Sequence, residues 1–138
     1  MGNIVHLSEA ASIALHSLII IAKADKLVNV QFIADQTGSS KHHVAKVMQR
    51  LAKDKIINSS RGPSGGFRLN KPAEEITLLE LYEAIEGKLV VQTCAADHKI
   101  CPFDKCLLDN VTRQMTLNFK EFIQNQTVQD YLVDKKDK

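Results

Sequence analysis

Three cysteines, Cys94, Cys101 and Cys106, share one short stretch with the spacing C-x6-C-x4-C. An odd count leaves at least one thiol outside any intramolecular disulfide. Structural cysteines are usually scattered through a core, whereas thiolates that bind a soft metal centre jointly must converge within a few ångströms. A short irregular loop can bring them together. The spacing fits no standard zinc finger, and three sulfurs leave one position of a four-coordinate centre to another ligand. His98 lies inside the same stretch and is a candidate for that position; a solvated histidine is its alternative. Reduced thiols with no ligand role, or a transient disulfide, are the competing readings of the cysteines. Serines and histidines are present elsewhere, but no local motif joins a nucleophile to a base, which argues against an enzyme.

A second chemical feature is a block of charge. Residues 39–71 carry eight basic side chains (Lys41, Lys46, Arg50, Lys53, Lys55, Arg61, Arg68, Lys71) against one acid, Asp54, a net of +7. The whole chain carries only +2, so the remainder carries −5. A basic block in an otherwise acidic protein is the footprint expected of a surface that meets a polyanion, because each neutralised phosphate releases condensed counterions. A solvated lysine-rich face is the alternative.

The elements that must position these groups can be read from pattern and caps. Residues 7–23 read as a helix capped by Ser8 and apolar almost all round from Ile13, which suits a core or an interface. Asn29 can cap a short helix through Asp35, stopped by Thr37-Gly38-Ser39. A further helix opens at Ser39 or Ser40. Its Val44, Val47, Met48 and Leu51 fall at i, i+3, i+4 and i+7, leaving Lys41, His42, Lys46, Gln49, Arg50 and Lys53 on the other side. Two helices joined by a short Gly-containing turn, the second basic on its outer face, make a helix-turn-helix. Two short strands, 56–59 and 67–69, flank a loop of Ser, Arg, Gly and Pro and predict a β-hairpin wing. Arg61, Ser64 and Arg68 are its candidate contacts, and Gly65 and Gly66 would let backbone amides approach phosphate; a plain surface turn is the alternative.

Farther on, Thr77-Leu78-Leu79-Glu80 has the form of a capping box, opening a helix that Gly87 ends. Leu107, Val111, Met115, Phe119, Phe122 and Ile123 mark a longer helix with one apolar face, either a dimerisation arm or a stripe that packs back on its own domain. The fold class expected is mostly α with a small β-hairpin (α+β), a winged helix-turn-helix followed by a long dimerisation helix. The organisation expected is a DNA-binding domain over residues 1–87, a cysteine loop over 88–106, a dimerisation region over 107–132 and a charged tail over 133–138. A length of 138 residues with 44% hydrophobic and 25% charged residues suits one globular domain. The longest apolar run, 18–22, is far short of the roughly 20 residues that cross a bilayer, and no signal-peptide pattern opens the chain. Cytoplasmic placement without membrane contact is expected.

These pieces resemble a known family. Val30-Gln31-Phe32-Ile33-Ala34, Gly38-Ser39-Ser40, Arg61-Gly62-Pro63-Ser64-Gly65-Gly66-Phe67-Arg68-Leu69-Asn70-Lys71-Pro72, Ile76-Thr77-Leu78 and Ala84-Ile85-Glu86-Gly87, followed by three loop cysteines, are similar to the Rrf-two family of bacterial winged-helix transcription regulators. Many relatives are homodimers that carry an iron-sulfur cluster and sense nitric oxide, iron, cluster supply or redox state. The resemblance implies a double-stranded DNA operator as partner, a homodimer, a cluster (2Fe-2S or 4Fe-4S) on Cys94, Cys101 and Cys106, and a small inorganic signal. It also implies that Ser39, Ser40, Lys41, His42, Lys46 and Arg50 meet the major groove, with Arg61, Ser64, Gly65, Gly66 and Arg68 on the backbone or minor groove.

The sequence departs from the family pattern in three places. His43-Val44 stands where relatives often have tyrosine and leucine. The middle cysteine is displaced by one residue. Ser12 falls where nitric-oxide-sensing relatives carry an aspartate that ligates the partner's cluster, so Ser12, with Glu9 and His16 on the same helical face, joins His98 as a fourth-ligand candidate. Two alternatives stand beside a cluster-controlled regulator: a winged-helix regulator that uses its cysteines as a metal-free thiol sensor, and a small iron-sulfur electron-transfer or carrier protein whose basic block docks an acidic partner.

Overall fold

The computed structural model describes residues 6–91 and 101–132; Cys94, His98 and the expected tail lie outside them. Four helix starts follow from local capping chemistry. Ser8 Oγ accepts from the Ala11 N–H (3.0 Å) to open α1, Glu9–Lys23. Asn29 Oδ1 accepts from the Phe32 N–H (2.8 Å) to open α2, Val30–Thr37. Ser40 Oγ accepts from the His43 N–H (3.1 Å) to open α3, Lys41–Lys53. Thr77 Oγ1 accepts from the Glu80 N–H (3.1 Å) to open α4, Leu78–Glu86. Each bond satisfies a backbone donor that has no partner inside the helix. Gly38, at φ +73°, takes the left-handed conformation that ends α2 and starts the turn into α3.

Strands β1, Ile57–Ser60, and β2, Gly66–Leu69, form an antiparallel hairpin in the register Ile57↔Leu69 and Ser60↔Gly66. β1 is shifted one residue toward the turn from the expected 56–59, and β2 begins one residue nearer the turn than the expected 67–69. Val28, just before α2, bridges to the outer edge of β2. The Phe67 N–H donates to Val28 O (2.7 Å), and the Val28 N–H donates to Phe67 O (3.2 Å). This pair of bonds fixes the hairpin against the helix-turn-helix.

The core lies around α1, which packs on α2, α3, α4 and β2. Ala14 and Leu18 of α1, Ile33 of α2, and Val44, Met48 and Leu51 of α3 are fully enclosed, as are Ile56, Ile76 and Leu81. The last helix, α5, is Val111–Asn125. It starts four residues later than its apolar stripe predicts, because Asp109 (φ +49°) and Asn110 (φ +61°) are left-handed, a conformation these two residue types tolerate. Leu107 is therefore outside the helix and exposed.

One side of α5 packs back on α4, with Phe119 edge-on to Tyr82 at 5.5 Å and Ile123 buried. The chain then returns to the core. The Leu78 N–H donates to Gln126 O (3.0 Å) and the Val128 N–H to Ile76 O (2.9 Å), and a 3-10 turn, Val128–Tyr131, follows, opened by a Thr127–Asp130 capping box. Val111, Leu117 and Phe122 of α5 remain exposed.

Gly66 is buried where β2 meets Val28, and a Cβ there would lie 2.7 Å from the Val28 carbonyl oxygen. Since the obstruction is backbone, it cannot swing aside. Gly66→Ala should destabilise by about 1–3 kcal/mol, the usual cost of overpacking, and lower the thermal midpoint; an unchanged midpoint would contradict this packing.

Candidate nucleic-acid interface and cysteine loop

Burial of Val44, Val47, Met48 and Leu51 turns the opposite face of α3 outward. Lys41, His42, Lys46, Gln49, Arg50 and Lys53 are all exposed. Ser40 is exposed and Ser39 half-buried; Ser40 Oγ already accepts the cap bond but keeps its own O–H to donate. On the hairpin, Arg61, Ser64 and Arg68 are exposed. Basic groups from α3 and from the hairpin thus belong to one rigid unit, held together through Val28 and Phe67.

Three details differ from the sequence expectation. Gly66 faces the Val28 backbone, and a Cβ on Gly65 would collide with the Ser60 carbonyl, so both glycines serve the internal packing of the hairpin. The Gly65 N–H is also committed, donating to Gly62 O at 2.9 Å. Second, Lys71 contributes to the +7 count, yet its Nζ is held by Glu80 Oε1 at 2.6 Å with both side chains about two-thirds covered. Third, that same contact takes the Glu80 carboxylate, so only the Thr77 half of the predicted capping box is present.

The α1 candidates share one face. His16 Nδ1 lies 2.7 Å from the Ser12 carbonyl oxygen and 3.3 Å from Ser12 Oγ. Glu9 Oε1 lies 3.5 Å from Nδ1 of His43 on α3. Glu9, Ser12 and His16 border a cleft of about 710 Å³ closed on its other side by the α2–α3 turn. The contact between Glu9 and His43 joins residues 34 positions apart, and no local sequence signal announces it.

Cys101 and Cys106 are both exposed and unpaired. Backbone N–H groups of Asn110, first, and Leu108, second, hold the Cys106 thiol below its usual range and, with the Asp109 N–H, outweigh the opposing effects of burial and of the Asp109 carboxylate charge. They favour the thiolate, which is the nucleophile and the metal ligand. Among the described residues no group of three or more His, Cys, Asp or Glu stands together to hold a metal ion; Cys94, the third sulfur, is outside them. No helix among the described residues is long and apolar enough to cross a membrane.

Residues 7–134 match the family described as "Rrf2: Iron-dependent Transcriptional regulator". The chain belongs to the Rrf2 family. It is 32% identical over 111 residues to Protein aau3 of Rhizobium meliloti, covering 79% of this chain and 72% of that one. Similarity to the HTH-type transcriptional regulator IscR of Pectobacterium atrosepticum is 29% identity over 105 residues, 76% of this chain and 63% of IscR. The fold is shared with CymR, the global cysteine regulator of B. subtilis, at a TM-score of 0.77 and 18% identity, covering 95% of this chain and all of CymR. The protein is accordingly a DNA-binding Rrf2 transcription regulator with a winged-helix fold and is not an enzyme. The electron-transfer or carrier alternative gives way to this assignment.

Two outcomes are expected of this Rrf2 regulator. Lys46→Ala should lower the slope of log affinity against log salt by about one, as loss of a phosphate contact does, while Lys71→Ala should leave the slope unchanged; equal effects would contradict the distinction drawn from the Glu80 pair. With Cys94 and Cys101 replaced by Ser, iodoacetamide alkylation of Cys106 should reach half its plateau at a lower pH than a free-thiol peptide. A lowered thiol pKa leaves more thiolate at neutral pH, and a midpoint at or above the peptide's would contradict it.

Proposed function

We propose that this Rrf2 protein acts in the cytoplasm as a homodimer whose affinity for a double-stranded DNA operator is set by an iron-sulfur cluster held by Cys94, Cys101 and Cys106. The observation that carries this reading is the cysteine loop: Cys101 and Cys106 are free, exposed and separated by four residues, and Cys106 is biased toward the ligating thiolate. The iron-dependent character of the matching family agrees with it. When bound, a cluster supplies a redox-active centre that a small inorganic signal can alter. His98 and the α1 set of Glu9, Ser12 and His16 are the fourth-ligand candidates; within that set, His43 engages Glu9, and Ser12 and His16 engage each other.

In this reading Lys41, His42, Lys46 and Arg50, with Ser39 and Ser40, address the major groove and its phosphates, and Arg61, Ser64 and Arg68 address the backbone or minor groove. Gly65 and Gly66 support the hairpin from inside. Pairing of two copies is supported by the exposed apolar residues Leu107, Leu108, Val111, Leu117 and Phe122 around the start and outer side of α5. Cluster state changes operator occupancy only by the free energy with which it distinguishes the two conformations.

A thiol sensor without metal is the second reading, favoured by the exposure and thiolate character of Cys106, which also suit reaction with an oxidant. Anaerobic purification separates the two. A cluster regulator should show visible absorption together with bound iron and acid-labile sulfide. Absence of all three, with DNA binding toggled by oxidant and reductant, would replace it by the thiol sensor.

A further inference from the structure

Resting on the reading of α3 as the helix that reads DNA, we infer that Glu9 is a positioning residue for recognition, holding the first turn of α3 through His43. Glu9 stands in the first turn of α1, whose start is anchored twice: Ser8 Oγ accepts from the Ala11 N–H, and Ser8 also bonds to the Glu86 carboxylate of α4. His43 is the half-buried residue between exposed His42 and buried Val44, and its own N–H is bound to the Ser40 cap. The 3.5 Å contact between Glu9 Oε1 and His43 Nδ1 therefore joins an anchored helix start to the segment carrying Lys41 and His42. It requires a proton on Nδ1, which the imidazolium or one neutral tautomer supplies.

Of the two acid–base side-chain contacts among the described residues, this one touches α3. Without it, the polar first turn of α3 is held by the Ser40 cap and by the apolar stripe that begins at Val44. Glu9 also borders the cleft that Ser12 and His16 line from the same face of α1. A change on that face that draws Glu9 away releases His43, which gives α1 a physical connection to the reading head. With the Glu9 and His43 side chains 68% and 33% exposed, the contact is a modest one, and its loss should change a binding ratio by about two- to fivefold.

The test measures affinities of the full chain for an operator duplex recovered by selection from genomic fragments and for a scrambled duplex of equal composition, at one salt concentration. Glu9→Ala and His43→Ala should each lower the operator-to-scrambled ratio about two- to fivefold, the double variant should fall no further, and Glu9→Gln, which keeps an acceptor oxygen, should restore most of the loss. Additive losses would overturn the inference. So would an equal gain on both duplexes in Glu9→Ala, which would make Glu9 only a carboxylate that repels phosphate. If instead the wild-type chain fails to discriminate and Lys46→Ala leaves binding unchanged, the DNA-reading role of α3 fails and the inference goes with it.

Discussion

Burial of Val44, Val47, Met48 and Leu51 along one side of α3 is the constraint from which the interface follows. An aliphatic side chain removed from water contributes about 1.5–3 kcal/mol, whereas an exposed ion pair contributes at most about 1 kcal/mol. Apolar burial therefore decides how α3 is rotated, and the cations take the face that remains. The same burial presses α3 onto α1, so the polar face of α1 with Glu9, Ser12 and His16 comes to border the turn that starts α3.

A second constraint orients the hairpin. Two backbone hydrogen bonds between Val28 and Phe67 join β2 to the residue just before α2, and only glycine fits at position 66 beside them. Arg61 and Arg68 consequently hold a fixed relation to Lys46 and Arg50. Counting charge along the chain overstates the footprint, since among the described residues Lys71 is paired with Glu80. The surface available to a polyanion is set by which charges remain unpaired after folding, and pairing across distant segments decides that.

Much of this was legible in the sequence because its causes are local. Ser8, Asn29, Ser40 and Thr77 all cap the helices their types and positions predict, and the 3.6-residue stripe of α3 is buried as its spacing requires. The misjudged features split into two kinds. Some had a local signal that was passed over: Asp109-Asn110 could have marked the late start of α5, and Thr127-x-x-Asp130 the turn that returns the chain to the core. Others had none, since the Lys71–Glu80 and Glu9–His43 pairs and the packing of Gly66 on Val28 join segments that only the tertiary fold brings together. The candidate DNA-facing residues were legible as types, while the reason for the glycines was not.

The cysteine loop leads into α5, and α5 leans on α4 through Phe119 and Tyr82, so a change at Cys101 and Cys106 can reach the winged-helix core through packed elements. In the proposed function these sulfurs govern how the basic face meets DNA. Its most direct test is anaerobic fluorescence anisotropy of a labelled operator duplex, before and after exposure to oxygen or nitric oxide, with the wild-type chain and with a variant carrying Ser at positions 94, 101 and 106. Operator affinity should respond in the wild-type chain and be indifferent in the variant. An equal response in both, or none in either, would contradict it.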